Sequence, residues 1–246
     1  MKRFVILILV FIFFVVPKSL SATNEGYEVV TKLPKEDIVL YAKKMNDGLY
    51  RDFKLDFKGE TYFRPFWINV TNTTYAPKIF YQDINEDGKK ELIITLTKGY
   101  GSGVRNEEVY VYNYTNGLID VIVDNPLAII NKNVKTKLTP EKAEITLGDK
   151  VFIVDTKSIE STHLFEDLGF GSVIDYEVIN KNLMVRVSVQ ITPAMFVGDF
   201  VITYEYRDKM YQAKAIEFIT DSNKNPFYSP VKHKRYGALV KQDHQK

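Results

Sequence analysis

The chain has 246 residues, among them no cysteine, one tryptophan and three histidines. Without cysteine it forms no disulfide and carries no bacterial lipoprotein anchor. Outside a cell such a protein must hold together by burial, helped by any metal it binds. The histidines, His163, His233 and His244, show no i, i+4 pairing, so each reads as a surface residue rather than a ligand or base. Long apolar runs are scarce as well. Phe4 to Val16 gives thirteen uninterrupted apolar residues, fewer than the roughly 20 a membrane-spanning helix needs. An excess of one charge is missing too. Residues 1–22 hold Lys2, Arg3 and Lys18 and no acid, which leaves 30 basic residues against 31 acidic ones in the remainder. That balance calls for no nucleic-acid partner.

What is there begins with an address. Lys2 and Arg3, the apolar run, Pro17 and the small residues of KSLSA make the three zones of a secretory signal peptide, with cleavage expected after Ala22. This reading places the protein outside the cell, secreted or associated with the cell envelope, with no stable membrane span. The expected organisation is a signal peptide over 1–22, a β domain over 23–156, antiparallel hairpins over 157–230 and a disordered basic tail over 231–246. The boundary falls where TKSIESTHLFEDLGFGS, residues 156–172, loses the strand period. The tail's Lys232, Lys234, Arg235, Lys241 and Lys246 give only the salt-sensitive attraction of a solvated basic terminus.

TKLPKEDIVLYAKKMNDG reads as a helix. Pro34 suits a first turn, Glu36 and Asp37 complement its positive end, Lys43 and Lys44 the other, and Gly48 stops it. Ile38, Val39, Ala42 and Met45 would form its apolar face. Beyond it the chain reads as β. TYFRPFWINV and KIFYQDI are rich in aromatic and β-branched residues. ELIITLT is almost continuously apolar, as befits a central strand covered on both faces. Hairpins are expected with turns at Asn116-Gly117, Asn180 to Asn182 and Arg207 to Lys209, and further strands with turns at Pro140 and Gly148. The sequons at Asn69, Asn72 and Asn113 read as ordinary turn and strand residues.

One stretch carries chemistry. YQDINEDGKKELIITL places Asp83, Asn85 and Asp87 at alternate positions, then Gly88, then a strand. A hard cation such as calcium takes six to eight oxygens, and a short loop can supply several of them. Asp83, Asn85 and Asp87 would give side-chain oxygens, Lys89 its carbonyl, and Glu91 a further carboxylate; Gly88 sits where the backbone must reverse. Gathering carboxylates without a cation costs energy, and a divalent ion reverses the sign. An EF-hand would need glutamate at loop position twelve, entering a helix; here that position is Ile94, in a strand.

The stretch resembles the calcium loop of FG-GAP/VCBS-type repeats, D-x-[DN]-x-D-G-x-x-[DE] leading into a strand, through Asp83, Asn85, Asp87, Gly88 and Glu91. The resemblance covers about residues 79 to 123 and implies that the acidic and amide side chains are calcium ligands. With TKGYGSGVRNEEVYVYN the region also resembles a group of secreted proteins of Gram-positive spore-forming bacteria, which implies export but no activity. Those repeats build propellers of about four to eight blades. Here one good copy is found, since the second candidate, DSNKNP from Asp221, has Pro226 in place of the glycine. A single blade-like unit follows.

Other signals fail. GYGSGV, residues 99–104, precedes a strand rather than a helix, so it makes no phosphate site and reads as a flexible connection; Ser102 lacks the glycines of a nucleophile elbow. Glu107 and Glu108 are adjacent in a strand and point to opposite faces. Glu166 and Asp167 have no evident partner. The sixteen tyrosines, sixteen phenylalanines and Trp67 could furnish a sugar-binding platform, although most should be core.

The fold expected is thus mainly β, of antiparallel sheets, with one blade-like calcium-loop unit, no closed propeller and one short N-terminal helix. The function expected is a secreted, non-catalytic β-protein with one structural calcium-binding loop, a cell-envelope or extracellular binding protein for which a wall polymer or glycan is a candidate partner. The alternatives are an aromatic-platform carbohydrate-binding module and a secreted hydrolase with its residues gathered from distant loops.

Overall fold

Alternate burial of apolar side chains organises this molecule. The computed structural model describes residues 26–220, 226–227 and the backbone of 240–241. The expected signal peptide, most of the expected basic tail and the Asp221–Asn225 stretch lie outside the described residues.

The first sheet contains β1 (Tyr27–Leu33), β2 (Ile38–Lys44), β3 (Leu49–Phe57) and β4 (Glu60–Arg64) in that order, with the short β5 (Asn69–Val70) also on β3. The helix expected from Pro34 is not formed. Pro34–Glu36 makes only a 3-10 turn, and Asp37 ends it with φ 53°, in the left-handed region. The next residues then run as β2. Ile38, Leu40 and Ala42 are fully buried and face Phe53, Leu55 and Phe57 in one core cluster. A helix over the same residues would have pulled Leu40 away from Ile38 and Ala42.

The second sheet contains eight strands in the order β13-β14-β15-β16-β9-β8-β7-β6. Its chain-order members are β6 (Lys78–Gln82), β7 (Glu91–Gly101), β8 (Val104–Tyr114) and β9 (Leu118–Val123), then β13 (Gly169–Ile179), β14 (Asn182–Thr192), β15 (Met195–Arg207) and β16 (Met210–Ile219). Between the two groups come α1 (Pro126–Asn133) and a third, smaller sheet of β10 (Val134–Leu138), β11 (Lys142–Leu147) and β12 (Lys150–Asp155), which β17 (Val240–Lys241) joins. The described strands form no propeller. The single α-helix among the described residues is α1, and the sequence carries its signal: Asn125 caps it, accepting from the Leu127 and Ala128 N–H groups, and Pro126 occupies its first turn.

β7 is covered on both faces, as ELIITLT suggests. Leu92, Ile94 and Leu96 join the cluster of the first sheet, while Ile93 joins a larger one with Val111, Val185 and Phe200. The boundary near 156–172 does not separate the sheets. β13 pairs in parallel with β8 at Val173↔Arg105, and β16 with β9 at Met210↔Ile122. The turns at 180–181 and 208–209 are tight, with Asn180, Lys181, Asp208 and Lys209 all at positive φ. GYGSGV is a hairpin rather than a loose connection: β7 runs to Gly101, β8 starts at Val104, and Gly103 turns the chain at φ +73°.

Trp67 belongs to the core. It is 4% exposed and packs on Phe53, Tyr110 and Tyr112, so no sugar platform can be built on it. Asn69 is fully buried, its amide donating to the Val70 and Tyr75 carbonyls while its oxygen accepts from the Thr97 N–H.

Candidate metal centre

The pairs Tyr81↔Leu92 and Gln82↔Glu91 close the β6–β7 hairpin, and residues 83–90 form the excursion between them. Ile84 anchors that excursion by entering the larger core. The polar side chains then curl the backbone. Asp83 Oδ2 accepts from the Gly88 N–H at 3.1 Å, Asn85 Oδ1 from the Asp87 N–H at 2.9 Å, and Asp87 Oδ1 from the Lys89 N–H at 2.8 Å. Glu91 reaches back from the first position of β7, and its Oε2 accepts from the Ile84 N–H at 2.9 Å. The reversal falls at Glu86 and Gly88, with φ 61° and 82°. Only Gly88 takes such a φ without steric cost.

Three of the four residues thus hold the loop by hydrogen bonds to its own N–H groups, and the fourth ties the loop to the strand. Two polar atoms are left over. Asp83 Oδ1 is buried with no hydrogen-bond partner, and so is the hydroxyl of Tyr211 on β16. Burial pushes the Tyr211 hydroxyl well above its usual range, and the carboxylates of Glu91, Asp87 and Asp83 push it further. The Glu91 carboxyl is also raised, chiefly by burial and then by Asp87 and Asp83, against the stabilising N–H groups of Ile84 and Asn85. An isolated buried carboxylate oxygen is costly. Beside two further carboxylates its natural partner is a cation.

Asp83, Asn85, Asp87, Glu91 and the Lys89 carbonyl form an all-oxygen donor set, the chemistry of a hard ion such as calcium. All five lie between residues 83 and 91. The loop does not draw their side chains into a finished cage: among the described residues no three His, Cys, Asp or Glu side chains are grouped to hold a metal. Outside the loop, Lys90 pairs with Glu36 at 2.7 Å, which ties the excursion to the first sheet.

A second polar cluster escaped the sequence reading. Glu107 and Glu108 do point apart, Glu107 inward and Glu108 out to Lys98 at 2.7 Å. Yet Glu107 meets acids and bases from other strands. Arg105 lies 2.6 Å from Glu107 and 3.2 Å from Asp175; Arg186 lies 2.9 Å from Asp175 and 3.8 Å from Asp199; Lys78 lies 3.5 Å from Glu107. Ser188 donates to Asp199 at 2.6 Å. Glu107 Oε2 also accepts from the Tyr176 N–H at 2.7 Å, and Lys78 donates to the Tyr176 carbonyl at 2.8 Å, where β13 meets β8. Burial raises the Glu107 carboxyl above the usual glutamate range. Burial would raise Asp175 too, but Arg105, Arg186 and Lys78 overcome it and hold that carboxyl low. The cluster clamps β6 and β8 to β13–β15. Its signal in the sequence is a charged residue set between apolar ones in a strand, as at Asp175 in VIDYEV, Arg186 in VRVSV and Asp199 in GDFV.

The other candidates stay apart. Asp167 accepts from the Thr136 hydroxyl at 3.0 Å and from the Leu168 N–H. His163 is exposed, 3.8 Å from Glu160. His233 and His244 lie outside the described residues. Compared with protein-family models, with curated proteins and with solved structures, the chain matches none of them.

Proposed function

We propose that this chain is an exported, non-catalytic β-protein in which the loop from Asp83 to Glu91 binds one calcium ion. The ion is structural: it neutralises the carboxylates and locks the excursion between β6 and β7 ahead of a core strand. The observation that carries this reading is the buried, unpartnered Asp83 Oδ1, set in a loop whose other acidic and amide side chains already brace the backbone. Tyr211, 1% exposed and with its hydroxyl also unpartnered, lies within the field of the same carboxylates. Export rests on the zoned N-terminus, which brings the protein to a calcium-rich compartment and to wall polymers or glycans as partners.

Calcium titration of the purified protein by calorimetry tests the reading. One site with a dissociation constant of about 10⁻⁴ to 10⁻³ M is expected, the range of extracellular modules. Asp83→Ala and Asp87→Ala should abolish it. A wild-type protein that takes up no calcium at millimolar concentrations ends the proposal.

A further inference from the structure

Strand β9 leaves the edge of β16 before covering it. The two pair in parallel at Ile122↔Met210 and Val123↔Tyr211, and the Asp124 N–H donates to the Tyr211 carbonyl at 2.9 Å. Asn125 and Pro126 then turn the chain into α1. From Gln212 to Ile219 no strand among the described residues pairs with that edge. The place β9 vacates is a groove of about 790 Å³. One wall is β16 from Gln212 to Ile216. The other is the face of α1 that carries Ala128, Ile129 and Lys132, residues three to four apart.

We propose that this groove receives an extended, acid-bearing peptide segment of another molecule, which adds to β16 as a further strand. The backbone of an unpaired edge offers alternating N–H and C=O groups, which only another extended backbone can satisfy in series. The Tyr211 carbonyl already marks the outward side, and alternation puts the Ala213 N–H on it as well. The charge preference comes from Lys132 and Lys214. Both are exposed, both line the groove, and neither has an ion pair among the described residues. Arg207 lines it too but is engaged by Glu205 at 3.1 Å and Asp208 at 3.8 Å; the one carboxylate there is Asp124. Lys214 is the extra residue of a bulge, between Thr203↔Ala215 and Tyr204↔Ala213, a device that re-aims a side chain. The chain's own C-terminal residues match poorly, since Lys232, Lys234, Arg235 and Lys241 repeat the groove's sign.

Short random peptides displayed on phage, selected on the purified protein, test the proposal. Enrichment of acidic, β-branched sequences is expected. Ala213→Pro removes the outward N–H without touching a bond to β15, and should weaken the selected peptides about tenfold. Lys132→Glu with Lys214→Glu, both at exposed positions, should shift the preference to basic peptides. The proposal is overturned if nothing is enriched over a protein-free control, or if the selected peptides bind both variants as well as wild type. It is overturned equally by a concentration-dependent dimer that Ala213→Pro abolishes, which would assign the edge to a second copy. Peptide capture seen only after removal of the residues beyond Phe227 would assign it to the chain's own tail.

Discussion

Replacing Asp83 by Asn separates the two roles of that residue. Its Oδ2 accepts from the Gly88 N–H at 3.1 Å, and an amide oxygen can make the same bond, so the loop should keep its path. What disappears is one of three charges that repel one another, and an amide NH2, a donor suited to the neighbouring carboxylates, takes the place of the orphaned oxygen. In chelator, Asp83→Asn should therefore melt at or slightly above wild type, within about 1 kcal/mol. With calcium the order reverses. For a dissociation constant of about 10⁻⁴ to 10⁻³ M and about 10 mM calcium, ligand linkage stabilises the wild type by about 1.4 to 2.7 kcal/mol. In a chain of this size that is a rise of about 3 to 10 °C. Differential scanning calorimetry of both proteins, with calcium and with chelator, gives four midpoints. A wild-type midpoint that ignores calcium, or an Asp83→Asn protein that rises as far as wild type, refutes the reasoning.

Four further outcomes are expected. Glu107 is raised and Asp175 depressed, so their effects on stability oppose each other along the pH axis. Stability should rise as pH falls from neutral toward 4.5, where Glu107 becomes protonated in both states, and fall again below 3.8 as Asp175 loses its charge; denaturant unfolding across pH should show the first limb flattened in Glu107→Gln. Arg186→Met leaves Asp175 and Asp199 buried with one cation fewer and should cost about 3 to 5 kcal/mol by urea unfolding. Gly198→Ala would set its Cβ 2.7 Å from the Phe218 ring and 2.9 Å from the Ile219 carbonyl oxygen, and a loss of about 1 to 3 kcal/mol should follow in the same assay. Lys209→Gly relieves a φ of 65° in the β15–β16 turn and should stabilise by about 0.5 to 1 kcal/mol, seen as a higher midpoint.

Residues whose environment is set by near neighbours were readable in the sequence. ELIITLT, the three hairpins with their Asn, Asp and Lys turns, and the spacing of Asp83, Asn85, Asp87 and Gly88 all depend on local period or local turn chemistry. In IVLYAKK the apolar residues satisfy a helical spacing as well as an alternating one, so the local pattern does not choose between them. Phe53, Leu55 and Phe57, brought across by β3, select the alternating form. Helix α1 has a local start signal in Asn125-Pro126 but only eight residues, too few to show a helical period among strands.

The amino-acid order by itself determined the β class, the turns and the hydrogen-bonded path of the Asp83–Glu91 loop, because each arises within a few bonds of backbone. Tertiary structure alone decided that Glu107 would meet Asp175, that Trp67 would lie inside, and that β9 would leave the edge of β16 open. Those outcomes rest on contacts between residues far apart in the chain, whose burial and pairing no local pattern records.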